Sequence, residues 1–191
     1  MEVVAKALEG GARVIQLREK GISDKEFYLE GLQIKPLVSS YGRLLLVNDR
    51  VDIAQALGAD GVHLGQDDLP LPAARMILGK NKIIGISVCS VEEAKRAARE
   101  GADYLAVSGV FPTETKRDVG VVLGVEGVRR IMEAVDLPLV GVGGIKFHNA
   151  GEVIRAGADG VAVVTAVTMA PDIAGACRKL LEVIQHVRKE G

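Results

Sequence analysis

Three near copies of one pentapeptide punctuate the chain: Gly58-Ala59-Asp60-Gly61-Val62, Gly101-Ala102-Asp103-Tyr104-Leu105 and Gly157-Ala158-Asp159-Gly160-Val161. A fainter fourth, Gly11-Ala12-Arg13-Val14, precedes them. Each copy ends an amphipathic stretch with a glycine suited to a helix C-terminus, then enters a short apolar run. Any tight helix-to-strand loop favours this chemistry, but four copies on alternate runs point to a structure assembled from repeated units. The apolar runs cover residues 13–17, 44–47, 62–64, 83–88, 104–107, 138–142 and 161–166. They are nearly continuous and rich in β-branched residues, as strands buried on both faces are. Helical patterns lie between them, one opened by a capping box at Ser90-Val91-Glu92-Glu93. Such alternation implies a parallel sheet.

The expected fold class is α/β: a TIM-type (β/α)8 barrel, one domain over residues 1–191, lacking its first β-strand. Seven strands are found, and the chain opens directly in a helix over residues 2–8. A closed barrel usually has about 250 residues, with about 200 near the lower limit. Either the true N-terminus is missing from this sequence, or the barrel is incomplete, or another segment fills the gap.

The bulk numbers mainly exclude. Net charge is −1 with a pI near 6.3, so nothing global draws the chain to nucleic acid or membrane. Aromatic residues make up 3% and tryptophan is absent, unlike a base-stacking platform. Cys89 and Cys177 form neither a disulfide framework nor a metal-spaced cluster, and a reducing cytoplasm fits. No apolar run is long enough to span a bilayer, and Met1-Glu2-Val3-Val4 does not read as a signal peptide. If the protein handles phosphates, its positive charge is local.

Barrels of this type carry their active site at the C-terminal ends of the strands. Gln16, Arg18 and Lys20 follow the first run and point one way by strand alternation. Asn48-Asp49-Arg50 follows the second, Gly65-Gln66-Asp67-Asp68 the third, and Ser87 ends the fourth. Pro112-Thr113-Glu114-Thr115-Lys116 follows the fifth, Gly143-Gly144 the sixth, and Val164-Thr165 closes the last. Each set has a plainer reading. Asn48-Asp49 suits a turn or helix cap, Gln66-Asp67-Asp68 a capping loop, Arg18 and Lys20 a solvated edge, Gly143-Gly144 a tight turn. His63 suits a satisfied core histidine, and His148 and His186 suit helix surfaces. What favours a site is that all the polar sets fall at one end of the barrel.

Asp49 and Asp68 offer two carboxylates from neighbouring strand ends, and Mg2+ is typically held by one or two carboxylates plus substrate phosphate oxygens and water. Arg18, Lys20 and Lys116 can neutralise a diphosphate, arginine through a two-pronged fork. Gly143-Gly144 and the Val164-Thr165 turn lie where such barrels bind phosphate through backbone N–H groups. Two anionic substrates are implied. No nucleophile–base pair is evident, which favours electrostatic stabilisation over covalent catalysis.

The chain resembles the thiamine-phosphate synthase family. The matching stretches are Gln16-Leu17-Arg18-Glu19-Lys20, Val47-Asn48-Asp49, Gly61-Val62-His63-Leu64-Gly65-Gln66-Asp67-Asp68, Gly85-Ile86-Ser87, Pro112-Thr113-Glu114-Thr115-Lys116, Gly143-Gly144-Ile145 and Gly157-Ala158-Asp159-Gly160. The resemblance implies a Mg2+-dependent transferase. It condenses 4-amino-2-methyl-5-hydroxymethylpyrimidine diphosphate with 4-methyl-5-(2-phosphoethyl)thiazole, releasing pyrophosphate through a dissociative step. It further implies that Gln16 holds the pyrimidine and that Arg18, Lys20, Asn48, Ser87 and Lys116 hold the diphosphate. Of these, Arg18, Lys20, Ser87 and Lys116 would be catalytic. Asp49 and Asp68 would ligate Mg2+. Thr113 and Thr115 would contact the thiazole phosphate, helped by backbone at Gly144, Val164 and Thr165. Family members are often homodimers.

Two features depart from the family pattern. The first strand, which also lends residues to the pyrimidine pocket, is missing, and Cys89 stands where relatives often carry histidine. A thiazole tautomerase of the same fold is one alternative, but it uses a histidine at the Cys89 position and usually lacks the Thr-x-Thr-Lys run. A non-catalytic binder of phosphate ligands is another, and the intact carboxylate pair weighs against it.

Overall fold

The computed structural model describes residues 1–113 and 122–190. Seven strands form one parallel sheet in chain order: β1 (Val14–Leu17), β2 (Leu44–Asn48), β3 (Gly61–Leu64), β4 (Ile83–Val88), β5 (Tyr104–Val107), β6 (Leu139–Val142) and β7 (Gly160–Ala162). The sheet curls into a TIM-barrel-like half-barrel. Around it lie α1 (Glu2–Glu9), α2 (Asp24–Ser40), α3 (Val51–Leu57), α4 (Leu71–Leu78), α5 (Val91–Glu100), α6 (Gly124–Ala134), α7 (Ala150–Arg155), α8 (Thr165–Thr168) and α9 (Ile173–Glu190). Among the described residues no helix is long and apolar enough to cross a membrane.

Among the described residues β1 and β7 do not pair, so the strand ring is open between them. The helical layer is continuous there, because α1 packs on both α2 and α9. Gly10 permits that approach: a Cβ at this position would meet the Ala174 carbonyl oxygen at 2.5 Å.

The repeated aspartates explain how the sheet holds its register. The carboxylates of Asp60, Asp103 and Asp159 accept the backbone N–H groups of Leu45, Ile84 and Leu139 at 2.7, 2.7 and 2.9 Å. The backbone N–H groups of the same aspartates donate to the carbonyls of the same three residues at 2.9, 2.9 and 2.8 Å. Each aspartate thus clamps the start of the preceding strand with two bonds, joining β2 to β3, β4 to β5 and β6 to β7. Arg13 takes the aspartate's place in the faint fourth copy. Among the described residues no strand lies beyond β1 for a carboxylate to hold.

The side of the sheet packed on the helices is apolar. Val47, Val62, Leu64, Ile84, Leu105, Val107 and Leu139 are each no more than 1% exposed, and burying one such side chain stabilises the fold by about 1.5–3 kcal/mol. The other side carries a different row, in which Asn48, His63, Gly85 and Tyr104 are register partners across four strands.

Three local expectations change. The last strand ends at Ala162 rather than 166, and Thr165 opens α8 instead; β7 has a strand partner on one side only, so little holds residues beyond it extended. The cap at Ser90 is half of the expected box. Its hydroxyl accepts from the Glu93 N–H at 3.1 Å, but the Glu93 carboxylate takes the Cys89 N–H at 2.7 Å. The full reciprocal box is at Ser23 and Glu26, opening α2. His148 lies in the turn before α7, exposed, whereas His186 is on the surface of α9, where it pairs with Glu190 at 3.0 Å.

Candidate active site

The C-terminal rim of the sheet gathers the polar residues that follow the strands. Asp49 leaves β2 with its N–H still donating to the His63 carbonyl at 2.8 Å. The chain then turns at once: the Arg50 N–H donates to the Asn48 carbonyl at 2.7 Å, and Asp49 has a φ of +62°. A non-glycine residue held left-handed within a three-residue turn stores strain, a feature that clusters at functional sites. Asp68 is placed by the next strand-to-helix turn, where its carboxylate accepts the Gly65 N–H at 2.6 Å.

Two positive side chains stand beside this pair. The Lys20 ammonium donates to the Asp49 carboxylate at 2.6 Å, and the Arg18 charge acts on the same group. Burial opposes ionisation of Asp49. Hydrogen bonds from Lys20 and Asp68, with the charges of Lys20 and Arg18, outweigh it, and the pKa lies below the usual carboxylate range. For Asp68 burial prevails, reinforced by the hydrogen bond and charge of Asp49 against the Gly65 N–H, and its pKa is raised. One carboxylate ionises more readily than usual and its neighbour less readily, as closely set carboxylates do.

That donor set suits a divalent cation. Two closely set carboxylates repel each other when both are charged, and a divalent cation between them would relieve that repulsion. Among the described residues no group of three or more His, Cys, Asp or Glu side chains forms a metal cage. Two carboxylates that leave the other positions to substrate oxygens and water suit Mg2+ better than a metal needing an all-protein cage.

Ser87 stands next to this centre, near the end of β4. Its hydroxyl is 2.8 Å from His63 Nε2, and His63 Nδ1 is 2.8 Å from the Tyr104 hydroxyl. The Tyr104 ring reaches His63 by lying across Gly85, where any Cβ would collide with it. Burial raises the Tyr104 pKa, so the phenol stays protonated. His63 is thus the satisfied buried histidine expected of its strand, at 7% exposure, and it also fixes the Ser87 hydroxyl. The Gln66 amide donates to the Ser87 carbonyl at 2.7 Å and accepts from Arg96, so the turn that carries Asp68 is tied to the end of β4.

On the far side of the rim, the turns after β5 and β6 are joined. Val110 and Phe111 donate to the carbonyls of Val142 and Gly143 at 3.1 Å each. The segment after β5 returns to its own base, where Leu123 and Gly124 donate to the Gly109 and Val110 carbonyls at 2.8 and 3.1 Å. Gly144 has a φ of +61° and packs on Phe111 and Pro112 so closely that a Cβ would strike the Pro112 carbonyl. Beside it, Val164 caps α8 and Thr165 begins it, both exposed.

Gln16, Arg18, Lys20, Asn48, Asp49, Asp68, Ser87, Thr113, Gly144, Val164 and Thr165 therefore all lie at or just beyond the C-terminal strand ends. A direct contact joins Lys20 to Asp49, and Asp49 and Asp68 act on each other's ionisation. Thr115 and Lys116 lie outside the described residues. Two roles were not anticipated: that of the Tyr104 hydroxyl, and that of Gln66, part of the polar set after β3, in tying its turn to the end of β4. A glycine at 85 within a β-branched strand, facing a tyrosine where the other two close repeats carry glycine, is the sequence trace of the first. Cys89 has a raised pKa, from partial burial and then from Glu93, so its thiol is poorly suited to proton exchange near neutral pH.

A barrel with its polar groups on this rim, a carboxylate pair among cations and a left-handed diglycine turn, belongs to the class of TIM-type enzymes acting on phosphorylated substrates. A family model described as thiamine monophosphate synthase matches residues 1–167. The thiamine-phosphate synthase of Moorella thermoacetica is 50% identical over 188 residues, 98% of this chain and 90% of that protein. That of Pyrococcus abyssi is 50% identical over 184 residues, 96% and 88% respectively. The solved thiamine phosphate pyrophosphorylase of Pyrococcus furiosus superposes with a TM-score of 0.90 at 45% identity, covering 97% of this chain and 89% of that one. The chain belongs to the thiamine monophosphate synthase family.

Proposed function

We propose that this chain condenses 4-amino-2-methyl-5-hydroxymethylpyrimidine diphosphate with 4-methyl-5-(2-phosphoethyl)thiazole to give thiamine phosphate and pyrophosphate. The supporting observation is the Asp49–Asp68 pair beside Arg18 and Lys20 on the rim that also carries the Gly143-Gly144 turn. Mg2+ held by Asp49 and Asp68 would neutralise charge on the diphosphate.

The side chains act on both substrates. Gln16 orients the pyrimidine ring. Arg18, Lys20, Asn48 and Lys116 surround the diphosphate, and Ser87, aimed by His63, donates to one of its oxygens. As the methylene carbon–oxygen bond breaks, the bonding electrons leave with pyrophosphate and these donors bind the growing charge. The thiazole nitrogen then adds its lone pair to the methylene. Thr113, Thr115 and the backbone at Gly144, Val164 and Thr165 hold the thiazole phosphate so that this nitrogen faces the carbon. The cations and Ser87 bind more strongly as charge develops, which is what accelerates the step rather than merely tightening binding.

The test is direct. Purified protein with both substrates and Mg2+ should release thiamine phosphate and pyrophosphate in equal amounts, with no product after chelation of the metal. Binding of both substrates without product would favour the non-catalytic reading.

A further inference from the structure

Asn149 is one of the two polar residues in the described chain that are less than 9% exposed, and it stands at the N-cap position of α7. Its side chain does not cap that helix. It turns back: Oδ1 accepts the Lys146 N–H at 2.7 Å, and Nδ2 donates to the Gly144 carbonyl at 3.1 Å. One buried amide therefore brackets the residues immediately after Gly143-Gly144.

The consequence follows from peptide geometry. The Gly144 carbonyl and the Ile145 N–H belong to one planar trans unit and point in opposite directions. Holding the carbonyl toward Asn149 sends the Ile145 N–H the other way. Ile145 is 5% exposed, and among the described residues nothing accepts from its N–H or from that of Gly144. Buried backbone donors without an acceptor are rare. The buried Ile145 donor and that of half-buried Gly144, beside a left-handed diglycine turn locked from behind, form a backbone cradle for an anion. Glycines alone would leave this peptide free to flip, since left-handed conformations cost them little.

We infer that Asn149 is a positioning residue for the thiazole phosphate, holding the 144–145 peptide with its N–H toward the ligand's phosphate group. This rests on the function proposed above.

The readout is preference for the phosphate group. Binding of 4-methyl-5-(2-phosphoethyl)thiazole and of its dephosphorylated alcohol is measured by calorimetry, with steady-state kinetics alongside. Asn149→Asp keeps an acceptor for Lys146 but sets an oxygen against the Gly144 carbonyl. It should raise Kd and KM for the thiazole phosphate roughly 10- to 100-fold, the range for a hydrogen bond to a charged group. Binding of the alcohol, KM for the pyrimidine diphosphate and kcat should stay within about threefold, a change smaller than one such bond. Asn149→Ala should behave alike. Equal loss for phosphate and alcohol would mark a merely structural role, and unchanged phosphate preference would overturn the inference. A second measurement needs no variant: in 15N-labelled protein the Ile145 amide should shift with the phosphate and not with the alcohol. Failure to shift refutes the cradle. A wild-type chain that binds both compounds equally would instead refute the parent placement of the phosphate.

Discussion

The two rims of this barrel use aspartate in opposite ways. At the N-terminal rim Asp60, Asp103 and Asp159 each bind a backbone N–H of a neighbouring strand at 2.7 to 2.9 Å. At the C-terminal rim Asp49 and Asp68 act on each other, and Asp49 pairs with the exposed Lys20. The first arrangement is complete within the fold. The second leaves two carboxylates that repel each other when both are charged, a repulsion that a divalent ion would relieve. A carboxylate's role in this fold thus depends on whether the backbone has already satisfied it.

Substitutions can break or sharpen that contrast. Asp49→Ala should have the largest effect, cutting turnover about a thousandfold, or about 4 kcal/mol of barrier. Thiazole-phosphate binding should change little, and equal losses in both would mean the metal serves more than the diphosphate. Lys116→Ala should lower kcat roughly a hundredfold, the scale of one donor to developing negative charge; unchanged turnover would remove Lys116 from the site. At the other rim, Asp60→Ala leaves the N–H of the fully buried Leu45 without its acceptor. Stability should fall by about 1–3 kcal/mol, seen as a Tm lower by a few degrees per kcal/mol, while kcat holds. A collapse in kcat with a normal Tm would erase the distinction between the rims. Smallest is Ser90→Ala, which removes the α5 cap at about 1 kcal/mol and should leave both substrates' KM alone.

Much of this was legible in the sequence because strands buried on both sides must be apolar throughout. The runs that became β2 to β6 could hardly be anything else. The repeat revealed the barrel's modular build but not its purpose, since a loop aspartate bonded to a strand two elements away looks like any turn residue. Asp49 and Asp68 were singled out as a candidate pair because they follow neighbouring strands. Their mutual coupling is a matter of distance, and sequence carries no distances. His63 read as a core residue and is one; only the glycine across from it hinted that Tyr104 lies over the sheet to reach it. Asn149 was invisible because an asparagine before a helix ordinarily caps it, and this one turns backward. The overlong last strand failed for a related reason, because Val163 and Val164 have strand propensity but only a single neighbouring strand at β7 to hold them.

The most direct test of the difference between the rims is a titration with Mn2+, a paramagnetic substitute for Mg2+, in the presence of pyrophosphate. Wild-type protein and Asp60→Asn should each bind one ion with similar affinity, and the double variant Asp49→Asn/Asp68→Asn should not. Undiminished binding by the double variant, with its fold intact, would contradict the account.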